Sequence, residues 1–276
     1  MSGPLLVVDG DSFAHRAYHA LPKTIRRAEG RPAGALVGFA NMLLRLWESE
    51  SPESVVVAWD TLEVPTYRHV EFPAYQSGRQ FDAELLEQLE LLPGLVTAIG
   101  FAVAKGAGYE ADDFLAAAAT EGERRGGTVL VATSDRDAYQ LASEQTTILQ
   151  PARGGGELVR IGPAGVQERY GVEPAQVPDF IALRGDPSDR IPGARGVGPK
   201  RAAAVLKEHG SLEAALAAGR FSTQVEELRL MRRIATLDAS APLPSLQGHS
   251  PGGVEASSFA RGLGLSALAD RLAALP

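Results

Sequence analysis

The 276-residue chain has no cysteine, which excludes disulfides, thiolate zinc sites and a cysteine nucleophile. It has no apolar run of transmembrane length. A signal peptide is also missing: Met1-Ser2-Gly3-Pro4 carries no basic stretch, and Leu5-Leu6-Val7-Val8 is too short to be a signal core. On these absences the chain is expected to be cytoplasmic and off the membrane. No internal repeat is visible and no Ser/His pair suggests a nucleophilic triad. Hydrophobic residues make up 45% of the chain, enough for a substantial core, but the net charge is −7 with a pI near 5.4. Such an acidic balance argues against a uniformly basic nucleic-acid surface. Two divalent cations held by clustered carboxylates would bring the sum to about −3, and local charge matters more than the total. Across 184–209, six Lys/Arg face three Asp/Glu.

The densest acidic stretch is Tyr109-Glu110-Ala111-Asp112-Asp113-Phe114, followed by an Ala-rich apolar segment. The pattern is a loop entering a helix. One reading is capping, since acids in a first turn meet the positive end of the helix dipole, each contributing roughly 0.3–1 kcal/mol. The other is an oxygen-ligand site for a divalent metal. Asp9, Asp60, Asp135, Asp137, Asp186 and Asp189 stand in similar settings and favour the second. Carboxylates suit Mg²⁺ or Mn²⁺ rather than zinc, and such a cluster is costly without cations between its members.

Apolar runs at 5–8, 54–59, 101–104 and 128–132 are buried-strand patterns, and 35–47, 82–99 and 111–125 have helical spacing, with Pro93 a break or bend. Strands alternating with helices predict an α/β fold with a mainly parallel central sheet flanked by helices. Asp9, Asp60 and Asp135 each follow a strand, so they are expected to converge beyond the sheet's carboxyl edge, where such folds bind ligands. Gly154-Gly155-Gly156 suggests a hairpin between 147–149 and 158–161, and Pro163 opens a helix closing at Gly171. From Glu173 the chain is all-helical, and 239–253 is irregular.

Segment 64–81 combines Pro65, Pro73 and Gly78 with Tyr67, Phe72, Tyr75, Arg68 and Arg79. It is an ordinary surface loop or a crossing segment that handles single-stranded nucleic acid by stacking and phosphate contact. Gly196-Val197-Gly198-Pro199-Lys200 is a tight inter-helix turn or a loop whose backbone N–H groups grip phosphate, aided by Lys200 and Arg201. His15 and His19 are i, i+4 but lack a third zinc ligand, which favours packing or phosphate contact. Asp9-Gly10-Asp11-Ser12 after a strand also suits a phosphomonoesterase with Asp9 as nucleophile, as in haloacid-dehalogenase-type phosphatases.

Val8-Asp9-Gly10, Arg16-Ala17-Tyr18-His19-Ala20, Asp60, Tyr75 to Arg79, Glu110-Ala111-Asp112-Asp113, Ser134-Asp135-Arg136-Asp137, Gly185-Asp186 through Gly193, and the Gly-Val-Gly loop keep one order and spacing over about the first 235 residues. In these stretches the chain resembles the 5′-nuclease domain of bacterial DNA polymerase I and related flap endonucleases, in a stand-alone form. The resemblance implies a PIN-like 5′-nuclease core at 1–172 with a helical arch at about 64–92. It also implies a helical DNA-binding region at 173–238 with a helix–three-turn–helix (helix-hairpin-helix) at about 176–207, and a tail at 239–276 packing on the core. The activity implied is two-metal hydrolysis of DNA phosphodiesters, as a 5′→3′ exonuclease and 5′-flap endonuclease of replication and repair. The partners implied are DNA with 5′ flaps or 5′ ends and RNA in RNA–DNA hybrids, met by a monomer.

The metal-binding acids carry over to Asp9, Asp60, Glu110, Asp112, Asp113, Asp135, Asp137, Asp186 and Asp189. Arg16, Tyr75 and Arg79 match catalytic positions at the scissile phosphate. Arg68, Gln76, Gly196, Val197, Gly198, Lys200 and Arg201 match DNA-binding ones, with K⁺ at the Gly-Val-Gly loop. Two positions depart from the pattern. Gln76 replaces the usual lysine after the arch tyrosine, a loss worth on the order of 10²-fold in rate by analogy with removing one transition-state donor. Asp11 stands where a small residue is common. The rival of a different class is a branched-DNA-binding protein with weak or no catalysis, owing to Gln76.

Overall fold

Five short apolar runs become the parallel strands of one sheet: β1 (Leu5–Asp9), β2 (Ser54–Ala58), β3 (Ala102–Ala104), β4 (Val129–Ala132) and β5 (Thr146–Pro151). A sixth strand, β6 (Leu158–Ile161), pairs antiparallel with β5. The order is β3-β2-β1-β4-β5-β6, in a computed structural model that describes residues 3–62, 64–78, 80–152, 158–246, 248 and 251–276. The chain winds one way from β1 through β2 to β3 and the other way from β4, so the order reverses between β1 and β4. Register places Asp9 opposite Ala58 and Val8 opposite Ala132, which brings three strand ends to one edge. Crevices at such reversals are where open α/β sheets bind ligands. The triglycine expected to turn the hairpin lies outside the described residues.

Alternation along β1 and β2 splits the core in two, because successive side chains point to opposite faces. Val7, Val56 and Val131 face α5 (Ala111–Arg124), and behind it the helices α6 (Pro163–Tyr170), α7 (Val177–Arg184), α8 (Pro199–His209), α9 (Leu212–Ala217) and α10 (Val225–Ala235). Leu6, Val8, Val55 and Val57 face α1 (Gly10–Ala20), α2 (Gly34–Glu50) and α4 (Ala83–Ile99), joined by α11 (Gly253–Gly262) and α12 (Ser266–Leu272). The Ala tract of α5 brings that helix close to the sheet: Ala116 to Ala119 are buried, and a Cβ at Gly122 would fall 2.5 Å from Val129 Cγ2.

Of the break or bend expected at Pro93, the break does not occur: α4 runs through it. A proline inside a helix costs roughly 3 kcal/mol, but Leu89, Leu92, Leu95, Val96 and Ile99 around it are all buried, and their packing outweighs that cost. Helix α1 has no counterpart in the sequence reading. It starts where Asp9 caps it by accepting from the Ser12 N–H at 2.9 Å. Gly10 permits the turn into it, since a Cβ there would lie 2.6 Å from the Trp59 ring. Between β2 and α4 the chain forms the five-residue helix α3 (Tyr67–Glu71) and a run of turns. This stretch lies on the body rather than standing off it: Arg68 is 1% exposed and Tyr75 5%. None of the described helices is long and apolar enough to cross a membrane.

Candidate metal centre and nucleic-acid interface

A cavity of about 860 Å³ opens at the carboxyl ends of β1, β2 and β4. Its wall carries eight of the nine predicted acids: Asp9, Asp60, Glu110, Asp112, Asp135, Asp137, Asp186 and Asp189, with Asp11 beside them. Asp9 ends β1 and is oriented by the Ser12 N–H and by the Thr133 hydroxyl, which donates at 2.6 Å. Asp60 follows β2; its carboxylate accepts from the Ala111 N–H at 2.7 Å, and its own N–H donates to Asp11 at 2.7 Å. Glu110 caps α5 and accepts from Tyr75 Oη at 2.9 Å and Thr66 Oγ1 at 3.1 Å. Asp135 accepts from the Asp137 N–H at 2.9 Å. Asp186 sits on the loop after α7, held by Arg184 and Ser188, and Asp189 accepts from Gln76 Nε2 at 3.1 Å.

Burial and crowding raise the proton affinity of five acids here, Asp9, Asp11, Glu110, Asp112 and Asp137. Asp9 is pushed up to about 7, first by burial and then by Asp60 and Asp135, against the opposing bonds from Thr133 and Ser12. Glu110 also rises to about 7, mainly by burial, with Arg68 opposing. Asp11, Asp112 and Asp137 lie well above the usual carboxylate range through burial and repulsion from neighbouring acids. Asp112 Oδ1 is buried with no hydrogen-bond partner. An orphaned oxygen among mutually repelling carboxylates is what a hard divalent cation would satisfy. Among the described residues, no three His, Asp or Glu stand close enough to chelate an ion as placed. The donor chemistry fits, and side-chain rotation would be needed to close around an ion.

The metal-free protein is therefore expected to lose stability as pH rises from about 4 to 7. Over that window the folded Asp9 and Glu110 keep protons that the unfolded chain has released, so the unfolded state binds fewer protons and unfolding becomes easier; above about 7 the cost from these two acids is complete. Glu121, lowered to about 2 by Arg124 and Arg125, works the other way, but only below its ordinary value of 4.5 and on a solvent-screened surface. Thermal melts in chelator at about pH 5 and about pH 8 should show the lower midpoint at the higher pH, with added Mg²⁺ or Mn²⁺ removing most of the difference. A midpoint that rises with pH in chelator would contradict the charge arrangement.

Two predicted residues, Asp113 and Arg16, are absent from the cleft wall, and Arg68 lines it from a buried position. Asp113 does not line the cleft. It is 0% exposed, and its oxygens accept from Arg68 Nη1 at 2.9 Å, Arg68 Nη2 at 2.7 Å, the Glu110 N–H at 3.1 Å and the Asp238 N–H at 2.8 Å. Arg68 in turn donates Nε–H to the Ile234 carbonyl at 3.0 Å. It is a buried clamp joining α3, α5 and α10 that also forms part of the cleft wall, 3.4 Å from Glu110. Arg16 is absent from the cleft wall and donates to the Ala152 carbonyl at 2.8 Å. Tyr75 and Gln76 do reach the cleft, where Gln76 Nε2 donates to Tyr75 Oη at 2.8 Å as well as to Asp189. Burial and nearby acids hold the Tyr75 phenol protonated. Arg79 lies outside the described residues.

The Gly196-Val197-Gly198 loop lines a separate depression of about 480 Å³ formed with 192–195, Gln224 and Glu227. Gly196 has φ of 70°, Gly198 caps α8, and Lys200 and Arg201 are exposed in its first turn. Val197 is buried, so only its backbone faces outward contacts. Sequence reasoning missed Thr133, a buried support of Asp9, and Arg184, which lines the cleft. A hydroxyl following β4 and a cation two residues before Asp186 were the available signals.

A family model described as "5'-3' exonuclease, N-terminal resolvase-like domain" matches residues 4–171, and one described as "5'-3' exonuclease, C-terminal SAM fold" matches 172–253. DNA polymerase I of Mycobacterium tuberculosis is 42% identical over 210 residues, 75% of this chain and 23% of the polymerase; the chain thus spans about a quarter of that relative's length. Among solved structures, bacteriophage T5 5′-exonuclease with bound zinc superposes with a TM-score of 0.71 at 17% identity, covering 98% of this chain and 97% of that one. The T5 D15 flap endonuclease in a pseudo-enzyme-product complex with DNA and metal ions gives 0.69 at 18% identity, covering 98% and 96%. At these identities the structures speak for the fold.

Proposed function

This chain belongs to the 5′-3′ exonuclease family, and from that premise we propose that it is a divalent-metal-dependent, structure-specific 5′-nuclease that hydrolyses DNA phosphodiesters at 5′ flaps and 5′ ends. The observation that carries the proposal is the convergence of eight acids from strand ends, loops and helix starts on one cavity, with the Asp112 oxygen left unpartnered. Asp9, Asp60, Glu110, Asp112 and Asp135 would hold one Mg²⁺ or Mn²⁺, and Asp137, Asp186 and Asp189 a second. Bound there, the ions would supply Lewis acidity to the scissile phosphate and to an attacking water, the two-metal chemistry of phosphodiester cleavage.

The chain's own groups do the rest. Thr133 and the Ser12 N–H fix Asp9, Tyr75 holds Glu110, and the Arg68–Asp113 pair anchors the segment bearing Tyr75 to α5. The 1–172 body carries most of the chemistry, the 173–238 region adds Asp186 and Asp189 and grips duplex through the Gly-Val-Gly backbone with K⁺, Lys200 and Arg201, and 239–276 buttresses the core. RNA in RNA–DNA hybrids is a further substrate, and the protein acts as a monomer. The test is cleavage of a labelled 5′-flap duplex with Mg²⁺ or Mn²⁺; tight, salt-sensitive binding without cleavage would select the binding-protein alternative. An Asp9 nucleophile in a phosphomonoesterase finds no support in the family.

Gln76 is the place to raise the rate. Its amide already reaches Tyr75 and Asp189, so a lysine there would put a cation in the cleft without new backbone strain beyond the φ of 48° that Gln76 itself tolerates. Gln76→Lys should speed single-turnover cleavage by on the order of 10- to 100-fold. An equal or slower rate would reject a transition-state role for this position.

A further inference from the structure

A phosphodiester entering the cleft brings negative charge to a wall already lined by carboxylates. Among the described residues, three Lys or Arg side chains line that wall: Arg68, Arg136 and Arg184. Two of them are committed. Arg68 is buried, with its N–H groups directed at Asp113, Glu110 and the Ile234 and Thr236 carbonyls. Arg184 donates to Asp186 at 2.9 Å, and its guanidinium lies 5.3 Å from the ring centres of Tyr170 and Phe180. Arg16 is turned to the Ala152 carbonyl, and Gln76 brings no charge.

Arg136 differs. It is exposed, and among the described residues its side chain has no hydrogen-bond or ion-pair partner. Its backbone, by contrast, is fixed. The Arg136 carbonyl accepts from the Tyr139 N–H at 3.0 Å, Asp135 accepts from the Asp137 N–H at 2.9 Å, and the Ser134 carbonyl accepts from Gln150 Nε2 at 3.2 Å. A pinned turn thus projects one long cation from between two acids of the cleft. The position is on the flank towards β5. Burial raises the phenols of Tyr139 and Tyr170, and Arg136 is among the charges that oppose that rise; Tyr139 Oη itself donates to Gln150 of β5 at 2.7 Å.

Given the nuclease reading above, we infer that Arg136 is a substrate-contact residue that holds a backbone phosphate of the cut strand, at or next to the scissile one, from the β5 rim of the cleft. A guanidinium presents paired N–H donors that match two phosphate oxygens. A fixed backbone with an uncommitted head suits a group whose partner arrives with the DNA, because no existing ion pair has to break. The contact is to phosphate and adds affinity without sequence preference. An arginine that only offset its neighbouring acids would act on metal binding and leave DNA binding alone.

The experiment is binding of the full chain to a labelled 5′-flap duplex in Ca²⁺, read by fluorescence anisotropy. Arg136→Gln should weaken binding about tenfold and make the fall of log affinity with log salt shallower by about 1. Arg136→Lys should recover the salt slope and part of the affinity. Arg45→Gln, which removes the same charge from an exposed position on α2, should change binding by less than about twofold. Mn²⁺ affinity of Arg136→Gln should hold or tighten, since a cation beside the acids is removed. A single uncharged methylphosphonate, placed in turn at the scissile linkage and on either side of it, should cost wild type about tenfold at one position and cost Arg136→Gln almost nothing further there. Losses that add at every linkage, an Arg45→Gln loss equal to that of Arg136→Gln, or weakened Mn²⁺ binding in Arg136→Gln, which would trace the effect to Asp135 and Asp137, overturn this inference alone. Wild type that neither binds nor cleaves the flap duplex overturns the nuclease reading and this inference with it.

Discussion

Asp112→Asn is expected to reduce 5′-flap cleavage by on the order of 10³-fold while making the metal-free protein more stable. The two effects have opposite signs for one reason. Asp112 is half-buried among like charges, with one oxygen buried and unpartnered, so its ionised form costs the fold free energy. An amide of nearly the same shape removes the charge and the repulsion, but it also removes a hard anionic donor from the proposed metal centre. Cleavage of a labelled flap under Mg²⁺ and Mn²⁺, set beside melting midpoints in chelator, reads both. Cleavage within tenfold of wild type, or a lower midpoint for the variant, would remove Asp112 from the centre.

Arg68→Ala is expected to cost on the order of 3–5 kcal/mol of folding stability, the range for stranding one partner of a buried ion pair. Asp113 would be left with no exposure and no counter-ion, and the Ile234 carbonyl would lose the Arg68 donor while the Thr236 carbonyl would keep only the Tyr67 hydroxyl. Urea denaturation measures this directly. Asp113→Ala should be similarly severe, and neither loss should be recovered by divalent metal, in contrast to variants of the cleft acids. Replacing both together with apolar residues, Arg68→Met with Asp113→Leu, should recover much of the stability, since a well-packed apolar pair often equals a buried salt bridge. A single-variant cost below about 1 kcal/mol would show that the clamp contributes no more than a surface pair.

These two adjacent residues of α5, Asp112 and Asp113, show where reading along the chain stops. They are neighbours in one acidic motif, yet about 100° apart around the helix. Phe114, Leu115 and Ala118 set the rotation of α5 against the sheet, sending Asp112 to the cleft and Asp113 into the interior. Local pattern carried the strands, most of the helices and the strand-end position of Asp9, Asp60 and Asp135, because hydrophobic period and the parallel-sheet rule act over a few residues and one edge. Pairings such as Arg68 with Asp113 and Arg184 with Asp186, the displacement of Arg16 to the Ala152 carbonyl, and the Thr133 bond to Asp9 were decided only by tertiary packing. Which partner a charged group finds depends on the burial and helix rotation of elements distant in sequence, and no spacing rule encodes that.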